Sequence, residues 1–550
     1  MFSSDGAASG TTPYSVKPHR LFLLFLVLSL LTSTDKTWAA TAAQPNVLFL
    51  ISDDLANLLA VSGDPRAKTP NLDRLAARGA RFDLAYCTYP LCGPSRNSML
   101  TGLYPNSSGV QSNGVLFRQT IPSHISLPQA FRHEGYLAVR VGKLFHYGVP
   151  GSVGTDGLDD PASWEIEFNP AGVDKLEEEP KIFSLAPGNY GSALSWYASP
   201  KSDEHHTDAM LAADAAWVLE RAARQKDRPF FLALGFFRPH TPFVAPKDPY
   251  FGYYPEADMP VVRGIKEDQA DIPLAALGSR KPEEEKLTDD LRRQAVQAYY
   301  ASISFMDAQV GRVVGALDRL GLAENTIIVF TSDHGYHLGE HGLWKKQSLF
   351  EESARVPLLI VAPGVSKPGS VVKTPVSHID LYPTLTELTG VKGPAYLQGQ
   401  SLVPMLKDPT VQGRGWALTQ VVRSGGGGGG GGGGKKKAAA AAADSKAGER
   451  AKRKGSAQAA SEVGGRIFGY TLRTPRWRYT EWGDEARHGR ELYDHENDPK
   501  ELTNLAAIST HARTVQELSR QLGAAVTASF PPSGKTPEIR EGHWTPELGR

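Results

Sequence analysis

The sequence predicts an α/β fold with a largely parallel sheet, followed by a smaller C-terminal α+β subdomain. Apolar runs typical of buried strands alternate with helical patterns through most of the 550 residues. Most of these runs lead directly into aspartate or histidine, and the carboxyl ends of strands are where ligand sites collect in α/β sheets. Near the C-terminus, shorter strand patterns replace the alternation.

Four apolar runs make up the predicted main sheet. They cover residues 46–52, 229–237, 326–332 and 356–361. Each run is continuous and bounded by polar or turn residues, which indicates a strand buried on both faces. Helical patterns lie between the runs, as expected for crossovers between parallel strands. They cover residues 71–78, 127–133, 208–224 and 291–320.

The C-terminal part predicts a small, antiparallel sheet with one helix. The predicted strands cover residues 416–422, 467–473 and 477–482, and the predicted helix covers 511–522. We therefore expect a main domain over residues 44–410 and a subdomain over 411–550. A Gly-, Lys- and Ala-rich segment, residues 424–462, interrupts the subdomain and predicts a flexible surface insertion, because it cannot bury enough apolar surface. The alternative is a tether that binds anionic polysaccharide through its clustered basic residues.

Residues 1–43 have the pattern of a secretory signal peptide. Basic residues precede an apolar run over residues 21–31, and alanines follow between residues 39 and 43. The run is shorter than the ~20 residues that a membrane-spanning helix needs. The alternative is an uncleaved N-terminal anchor. We expect an exported protein, periplasmic or secreted, without a stable membrane span.

Charge and cysteine content narrow the functional class. The chain has 60 Lys and Arg against 59 Asp and Glu, a net charge of +1, which gives no reason to expect a nucleic-acid partner. Its two cysteines are Cys87 and Cys92. A disulfide between them would close a small, strained loop, so we expect no disulfide. An exported protein that keeps a cysteine in a polar motif uses it for chemistry.

Two pairs of polar residues at strand ends predict a metal site. Asp53 and Asp54 follow the first predicted strand, and Asp333 and His334 follow the third. The carboxyl ends of neighbouring strands meet at one edge of a sheet, so these side chains can converge on one cation. Oxygen-rich ligation favours Ca²⁺ or Mg²⁺ over zinc. The alternative for each aspartate alone is a helix cap or turn residue, which fits poorly where both pairs end apolar strands.

The strongest motif begins at Cys92. The residues Cys92-Gly-Pro-Ser-Arg96, with Leu100-Thr-Gly102 after them, resemble the C-x-P-S-R and L-T-G signature of the type I sulfatases. The resemblance implies that a dedicated maturation enzyme oxidises Cys92 to formylglycine. Hydrated to a diol, this group supplies a nucleophile for sulfur and a second hydroxyl that expels sulfate. It also implies an alkaline-phosphatase-like fold, with a large mixed or parallel sheet flanked by helices.

The resemblance extends to the metal site and to several basic residues. It implies one Ca²⁺ per chain, bound by Asp53, Asp54, Cys92 (as formylglycine), Asp333 and His334. The remaining matches are Arg96, Lys143 and His146 in a G-K-x-x-H segment, His240 in R-P-H-T-P-F, and Lys346 after the second metal motif. By these matches Arg96, Lys143 and Lys346 contact the sulfate, His146 contacts the formylglycine hydroxyls, and His240 is the general acid. A lone lysine or histidine is more often a surface or core residue, and it is the match that favours function here.

Within the family, the resemblance is to the iduronate-2-sulfatases. Besides the residues above, it rests on C-terminal matches at Gly469-Tyr470, Arg473-Thr474, Arg478-Tyr-Thr480 and Glu491-Leu-Tyr493, so it covers nearly the whole chain after residue 43. The Gly/Lys/Ala segment and the small number of cysteines depart from disulfide-bearing animal relatives and indicate an exported bacterial enzyme. We expect hydrolysis of an O-sulfate on a sulfated carbohydrate. The alternatives are a phosphonate or phosphate ester hydrolase on the same scaffold and an inactive protein that binds sulfated glycans.

Overall fold

A mixed sheet of eight strands organises the part of the chain that the structure describes. This structure is a computed structural model, and it describes Gly10 and residues 44–225, 227–424 and 465–542. The strands are β1 (Asn46–Ser52), β2 (Ala80–Phe82), β3 (Leu137–Gly142), β4 (Ile166–Phe168), β5 (Phe230–Gly235), β6 (Thr326–Ser332), β7 (Leu358–Val361) and β8 (Ser370–Val372). Their order across the sheet is β8-β2-β7-β6-β1-β5-β3-β4. Only β7 runs antiparallel to its neighbours in this sheet.

Helices cover both faces of the main sheet, because successive side chains of each strand point to opposite faces. The described helices of seven residues or more are α1 (Pro70–Arg78), α2 (Cys92–Thr101), α3 (Leu127–His133), α4 (Thr207–Arg224), α5 (Asp289–Arg319), α6 (Leu381–Thr389) and α7 (Ala512–Ala528). Leu48 and Leu50 of β1 pack with α1, α4 and α5. Val47 and Phe49 pack on the other face with α2, α3 and α6.

The four predicted strands of the main sheet are present, one of them in two pieces, and β2, β3, β4 and β8 were not predicted. Residues 46–52 and 326–332 coincide with β1 and β6, and β5 is shorter than the predicted 229–237. The predicted strand 356–361 is two strands, because Pro357 interrupts it. Arg355–Val356 pairs with Ala85–Tyr86 in a separate small sheet, and β7 begins at Leu358.

The C-terminal subdomain is an antiparallel sheet with a helix packed on it. Its strands, in order, are β9 (Ala417–Ser424), β10 (Arg466–Arg473), β11 (Trp477–Trp482) and β12 (Arg490–Asp494). Leu518 and Leu522 of α7 pack against Leu472 and Leu492 of the sheet. The strand β12 was not predicted. In β9, Thr419 donates a hydrogen bond to the carbonyl of Cys87, which ties this sheet to the chain segment before α2.

Two sequence predictions lie outside the described residues. They are the signal peptide over 1–43 and, beyond Ser424, the insertion over 424–462. The domain boundaries therefore stay predictions. Among the described residues, no helix combines the length and the apolar character that crossing a membrane requires.

Candidate active site

The carboxyl ends of β1 and β6 bring four predicted metal ligands together. The two strands pair in register from Asn46 with Thr326 to Ser52 with Ser332, so Asp53 and Asp333 leave the sheet side by side. The backbone N–H of Asp54 donates to Oδ1 of Asp333 at 3.0 Å. Asp53, Asp54, Asp333 and His334 are fully buried.

Cys92 is the first residue of α2 and faces these ligands. Its Sγ lies 3.4 Å from Nε2 of His334 and 3.8 Å from Oδ1 of Asp54. Nδ1 of His334 lies 2.9 Å from the carbonyl of Gly335. When that nitrogen carries the proton, Nε2 presents a lone pair to the site.

Arg96 lies one helical turn after Cys92 and binds both aspartates at the strand ends. Its Nε donates to Oδ2 of Asp333 at 2.9 Å, and Nη2 lies 3.3 Å from Oδ1 of Asp53. Nη1 donates to the carbonyl of Lys143 at 2.6 Å. The guanidinium therefore holds α2, β1, β6 and the end of β3 in one arrangement.

Two lysines reach the site from different segments. Nζ of Lys143 donates to Oδ2 of Asp53 at 2.5 Å. Nζ of Lys346 lies 2.5 Å from Oδ1 of Asp54 and 3.1 Å from Sγ of Cys92. Lys346 directly follows a hairpin in which His337–Leu338 pairs with Trp344–Lys345. We call this segment the Lys346 hairpin.

The two predicted catalytic histidines also border the cysteine. Nδ1 of His240 lies 2.5 Å from the carbonyl of Thr241, and its Nε2 lies 3.7 Å from Oδ2 of Asp54. His146 is half-buried, and its Nδ1 has no hydrogen-bond partner among the described residues. Burial lowers the pKa of both imidazoles, and Asp54 opposes this for His240 as Cys92 does for His146.

The surrounding cations favour an anion at the position of Cys92. Burial raises the pKa of the thiol, but the charges of Lys143 and Lys346 outweigh it and lower that pKa well below its ordinary value. The structure thus brings all the predicted site residues around one point. The geometry suits an anionic nucleophile and the developing negative charge of a group in transfer.

The donor set fits a divalent cation. Ligand atoms of Asp54, Cys92, Asp333 and His334 all lie within 4.8 Å of one another. Oδ2 of Asp54 is buried and has no hydrogen-bond partner among the described residues. An orphaned, buried carboxylate oxygen is costly unless it binds a cation, so these residues could hold a metal ion.

Sequence reasoning missed three residues that support the site. Ser95 donates from Oγ to the carbonyl of Asp333 at 2.5 Å and lies 3.2 Å from Nδ1 of His378. Oδ1 of Asn113 accepts a hydrogen bond from the N–H of Gly93 at 2.8 Å. Ser95 lies inside the cysteine motif, which is a signal. His378 and Asn113 belong to no motif and are identified only by their positions in the fold.

Comparisons with known proteins identify the family. A family model described as Sulfatase matches residues 45–391. The chain belongs to the sulfatase family. A sulfatase from Formosa agariphila is 36% identical over 405 residues, which cover 70% of this chain and 78% of that protein. Iduronate 2-sulfatase from Mus musculus is 32% identical over 64% of this chain and 69% of its own length.

Solved structures support the same fold for this sulfatase. Phosphonate monoester hydrolase of Agrobacterium radiobacter superposes with a TM-score of 0.68 at 24% identity, covering 88% of this chain and 96% of that one. A sulfatase structure from Bacteroides fragilis superposes with a TM-score of 0.60 at 22% identity, covering 90% and 98%. The predicted alkaline-phosphatase-like fold and the predicted family are confirmed, and the enzyme is a sulfuric ester hydrolase.

Proposed function

We propose that this sulfatase removes an O-sulfate from a sulfated glycan, using formylglycine made from Cys92 and a bound Ca²⁺. One observation carries the proposal. Cys92, within the C-x-P-S-R motif, lies 3.1 Å from Nζ of Lys346 and 3.4 Å from Nε2 of His334, at the ends of two parallel strands.

The position of Cys92 favours nucleophilic attack on a bound sulfate. As formylglycine hydrate, this residue supplies an oxygen nucleophile for sulfur and a second hydroxyl whose deprotonation releases sulfate. Lys346 points its ammonium group at this position and stabilises negative charge there. His146 faces the same atom with a pKa lowered chiefly by burial, so it can accept a proton from the nucleophile near neutral pH.

The cation would be held by five side chains, those of Asp53, Asp54, Asp333, His334 and the modified Cys92. A divalent cation bound there polarises the sulfate oxygens. Arg96 forms ion pairs with Asp53 and Asp333 and fixes the orientation of both carboxylates. Lys143 and Lys346 supply the remaining positive charge for the sulfate.

His240 is placed to protonate the leaving alkoxide. Its contact with the carbonyl of Thr241 fixes the ring when Nδ1 carries the proton, and Nε2 faces the site. Burial lowers the pKa of His240 and Asp54 raises it. An anionic sulfate nearby favours the protonated ring, so substrate binding itself prepares the acid.

The names of the relatives support a glycan substrate. They include iduronate 2-sulfatases and an ulvan-active sulfatase, and one structural neighbour was solved with its substrate D-glucosamine-2-N,6-O-disulfate. Together with the resemblance to iduronate-2-sulfatases in the sequence, these names favour an anionic sulfated sugar of that type. Export through residues 1–43 to the periplasm or medium is part of the proposal and rests on the sequence alone.

The test compares aryl sulfate with aryl phosphodiester hydrolysis by protein from a host that makes the maturation enzyme. This choice of substrates addresses the phosphonate monoester hydrolases among the structural neighbours. We expect kcat/KM to favour the sulfate, Cys92→Ala to abolish turnover and Cys87→Ala, at the other buried cysteine, to retain it. Preference for the phosphodiester would favour the phosphonate or phosphate ester hydrolase. Glycan binding without turnover in fully matured protein would favour the inactive binding protein.

A further inference from the structure

A second cluster of metal-binding side chains lies outside the active site. It consists of His341 in the Lys346 hairpin, Glu352 in the helix Glu351–Ala354 and Glu501 in the C-terminal subdomain. Ligand atoms of these three residues all lie within 4.8 Å of one another. None of them belongs to the site around Cys92, and the proposed function does not use them.

The orientation of His341 points to a ligand. Its Nδ1 lies 3.1 Å from Oδ2 of Asp268, so Nδ1–H donates to that carboxylate and Nε2 is the nitrogen left for a cation. Burial lowers the pKa of His341, but the hydrogen bond with Asp268 and the charge of Glu352 outweigh it and raise that pKa to about 9, so a bound cation would displace the proton of Nε2. The side chain is 1% exposed, and Nε2 has no hydrogen-bond partner among the described residues. Nε2 points toward Oε2 of Glu352, 3.9 Å away, which has no hydrogen-bond partner there either. A carboxylate that orients a histidine in this way is the usual support of a metal-binding imidazole.

The charges around Glu352 leave it without a strong partner. Within the described residues its ion-pair neighbours are imidazoles, at 3.9 Å from His337 and 3.9 Å from His341. Arg478 pairs with Glu351 and Glu501 instead. Burial raises the pKa of Glu352 to about 8, and His341 only partly opposes this. A buried carboxyl with such a pKa is one whose negative charge the protein's own side chains leave uncompensated.

The cluster joins two segments that are distant in the chain, because His341 and Glu352 lie near each other in sequence and Glu501 belongs to the C-terminal subdomain. His341 and Glu501 both have left-handed backbones, with φ of 55° each, so their positions are imposed by the surrounding structure. Gln269 donates to the carbonyl of His341 at 2.6 Å and holds that turn. A cation bound here would join the hairpin that delivers Lys346 to the C-terminal subdomain.

We propose that His341, Glu352 and Glu501 bind a second divalent cation of the transition-metal class, Zn²⁺, with Asp268 orienting the imidazole. One imidazole nitrogen and two carboxylates form a donor set that suits zinc, whereas calcium prefers ligands that are all oxygen. The site is structural: it fixes the Lys346 hairpin to the C-terminal subdomain. The cation would contact neither Cys92 nor the sulfate, so this site does not depend on the proposed reaction.

Metal content tests the proposal directly. The full-length protein is stripped with a chelator, loaded with Zn²⁺ and Ca²⁺ together, desalted and analysed by mass spectrometry of the elements. We expect the wild-type protein to hold one Zn²⁺ per chain more than Glu352→Gln or His341→Gln. His205→Gln, at an exposed histidine, is the matched control and keeps that zinc. Equal zinc in the wild type and in folded Glu352→Gln overturns the proposal.

Two further measurements cover the remaining outcomes. If either variant fails to fold by circular dichroism, the wild type is loaded with Co²⁺, and we expect the intense visible bands of four-coordinate cobalt with nitrogen ligation. Their absence overturns the proposal without any variant. Asp333→Asn separates the two sites: zinc that remains there supports the second site, and zinc that disappears there belongs to the active site and overturns it. Added Zn²⁺ should also raise Tm in the wild type more than in Glu352→Gln.

Discussion

Nζ of Lys346 lies 3.1 Å from Sγ of Cys92, although 254 residues separate them in the chain. The contact depends on the Lys346 hairpin, whose strands place the lysine beside the start of α2. Buried positive charge beside the nucleophile stabilises its anionic form before the reaction. It also stabilises the negative charge that develops while the sulfuryl group is transferred. Substitution of Lys346 therefore tests the proposed mechanism.

We expect Lys346→Ala to lower kcat/KM for an aryl sulfate by about 100-fold or more, as for loss of one preorganised donor. The adjacent Lys345 is the matched control, because its Nζ binds Glu284 at 3.1 Å and the carbonyl of Ser192 at 2.8 Å. Lys345→Ala should retain most of kcat/KM. Similar losses of kcat/KM in the two variants would contradict a special role of Lys346.

His240→Gln tests the general acid through the leaving group. An alkyl sulfate leaves as a strongly basic alkoxide and needs protonation, whereas a nitrophenyl sulfate leaves readily without it. We expect kcat to fall by about 100-fold to 10,000-fold on the alkyl sulfate and much less on the aryl sulfate. A uniform loss on both substrates would show that His240 binds substrate without donating a proton.

The cation at the strand ends should be essential for activity. We expect Asp54→Asn to reduce both bound Ca²⁺ and turnover, because it removes the orphaned oxygen that faces the donor set. Asp318→Asn, at an exposed carboxylate on α5, should change neither. Chelation of wild-type protein should abolish turnover, and added Ca²⁺ should restore it. Full activity in metal-free protein would contradict the assignment.

A surface ion pair in the C-terminal subdomain predicts a pH-dependent stability. Oδ1 and Oδ2 of Asp494 accept hydrogen bonds from Arg476 at 2.9 and 2.6 Å, which lowers the pKa of Asp494 to about 2. Since the pKa in the unfolded chain is ~3.9, the pair stabilises the fold above about pH 4 and this contribution is lost as pH falls towards 2. Because Arg476 is exposed, solvent screens the pair and we expect its contribution at pH 7 to be small.

Urea unfolding of wild type, Asp494→Asn and Arg476→Gln measures this contribution. Both variants should be less stable than the wild type at pH 7, and the difference should shrink as the pH is lowered towards 3. A difference that stays constant over this range would show that the effect is packing and not charge.

The sequence was sufficient for the elements whose signal is local. The strands β1 and β6 are uninterrupted apolar runs with carboxylates after them, so both the strands and the meeting of those carboxylates could be predicted. The strand β3 was missed because Arg140 stands in its middle. That side chain is buried against Glu167, with 2.6 Å between Nη2 and Oε2, and such long-range compensation is invisible in a linear pattern.

The direction of β7 and the residues that support the active site could not be predicted either, because both depend on contacts between distant parts of the chain. Pairing of β7 antiparallel to β6 is set by the path of the chain through Arg355–Val356. His378 reaches Ser95 from 283 positions away, and Asn113 reaches Gly93 of α2 from a later turn. The motif around Cys92 could be predicted because its residues are contiguous. They form the start of α2, which places both Cys92 and Arg96.

The most direct test of the account is the mass of the peptide that contains Cys92, from protein purified out of its native host. We expect the mass of the aldehyde or its hydrate in place of the thiol, in the wild type and in Lys346→Ala alike, since maturation precedes catalysis. An unmodified thiol in native protein that still hydrolyses sulfate esters would contradict the formylglycine mechanism. An unmodified thiol without turnover would contradict the proposal that this sulfatase acts in its own host.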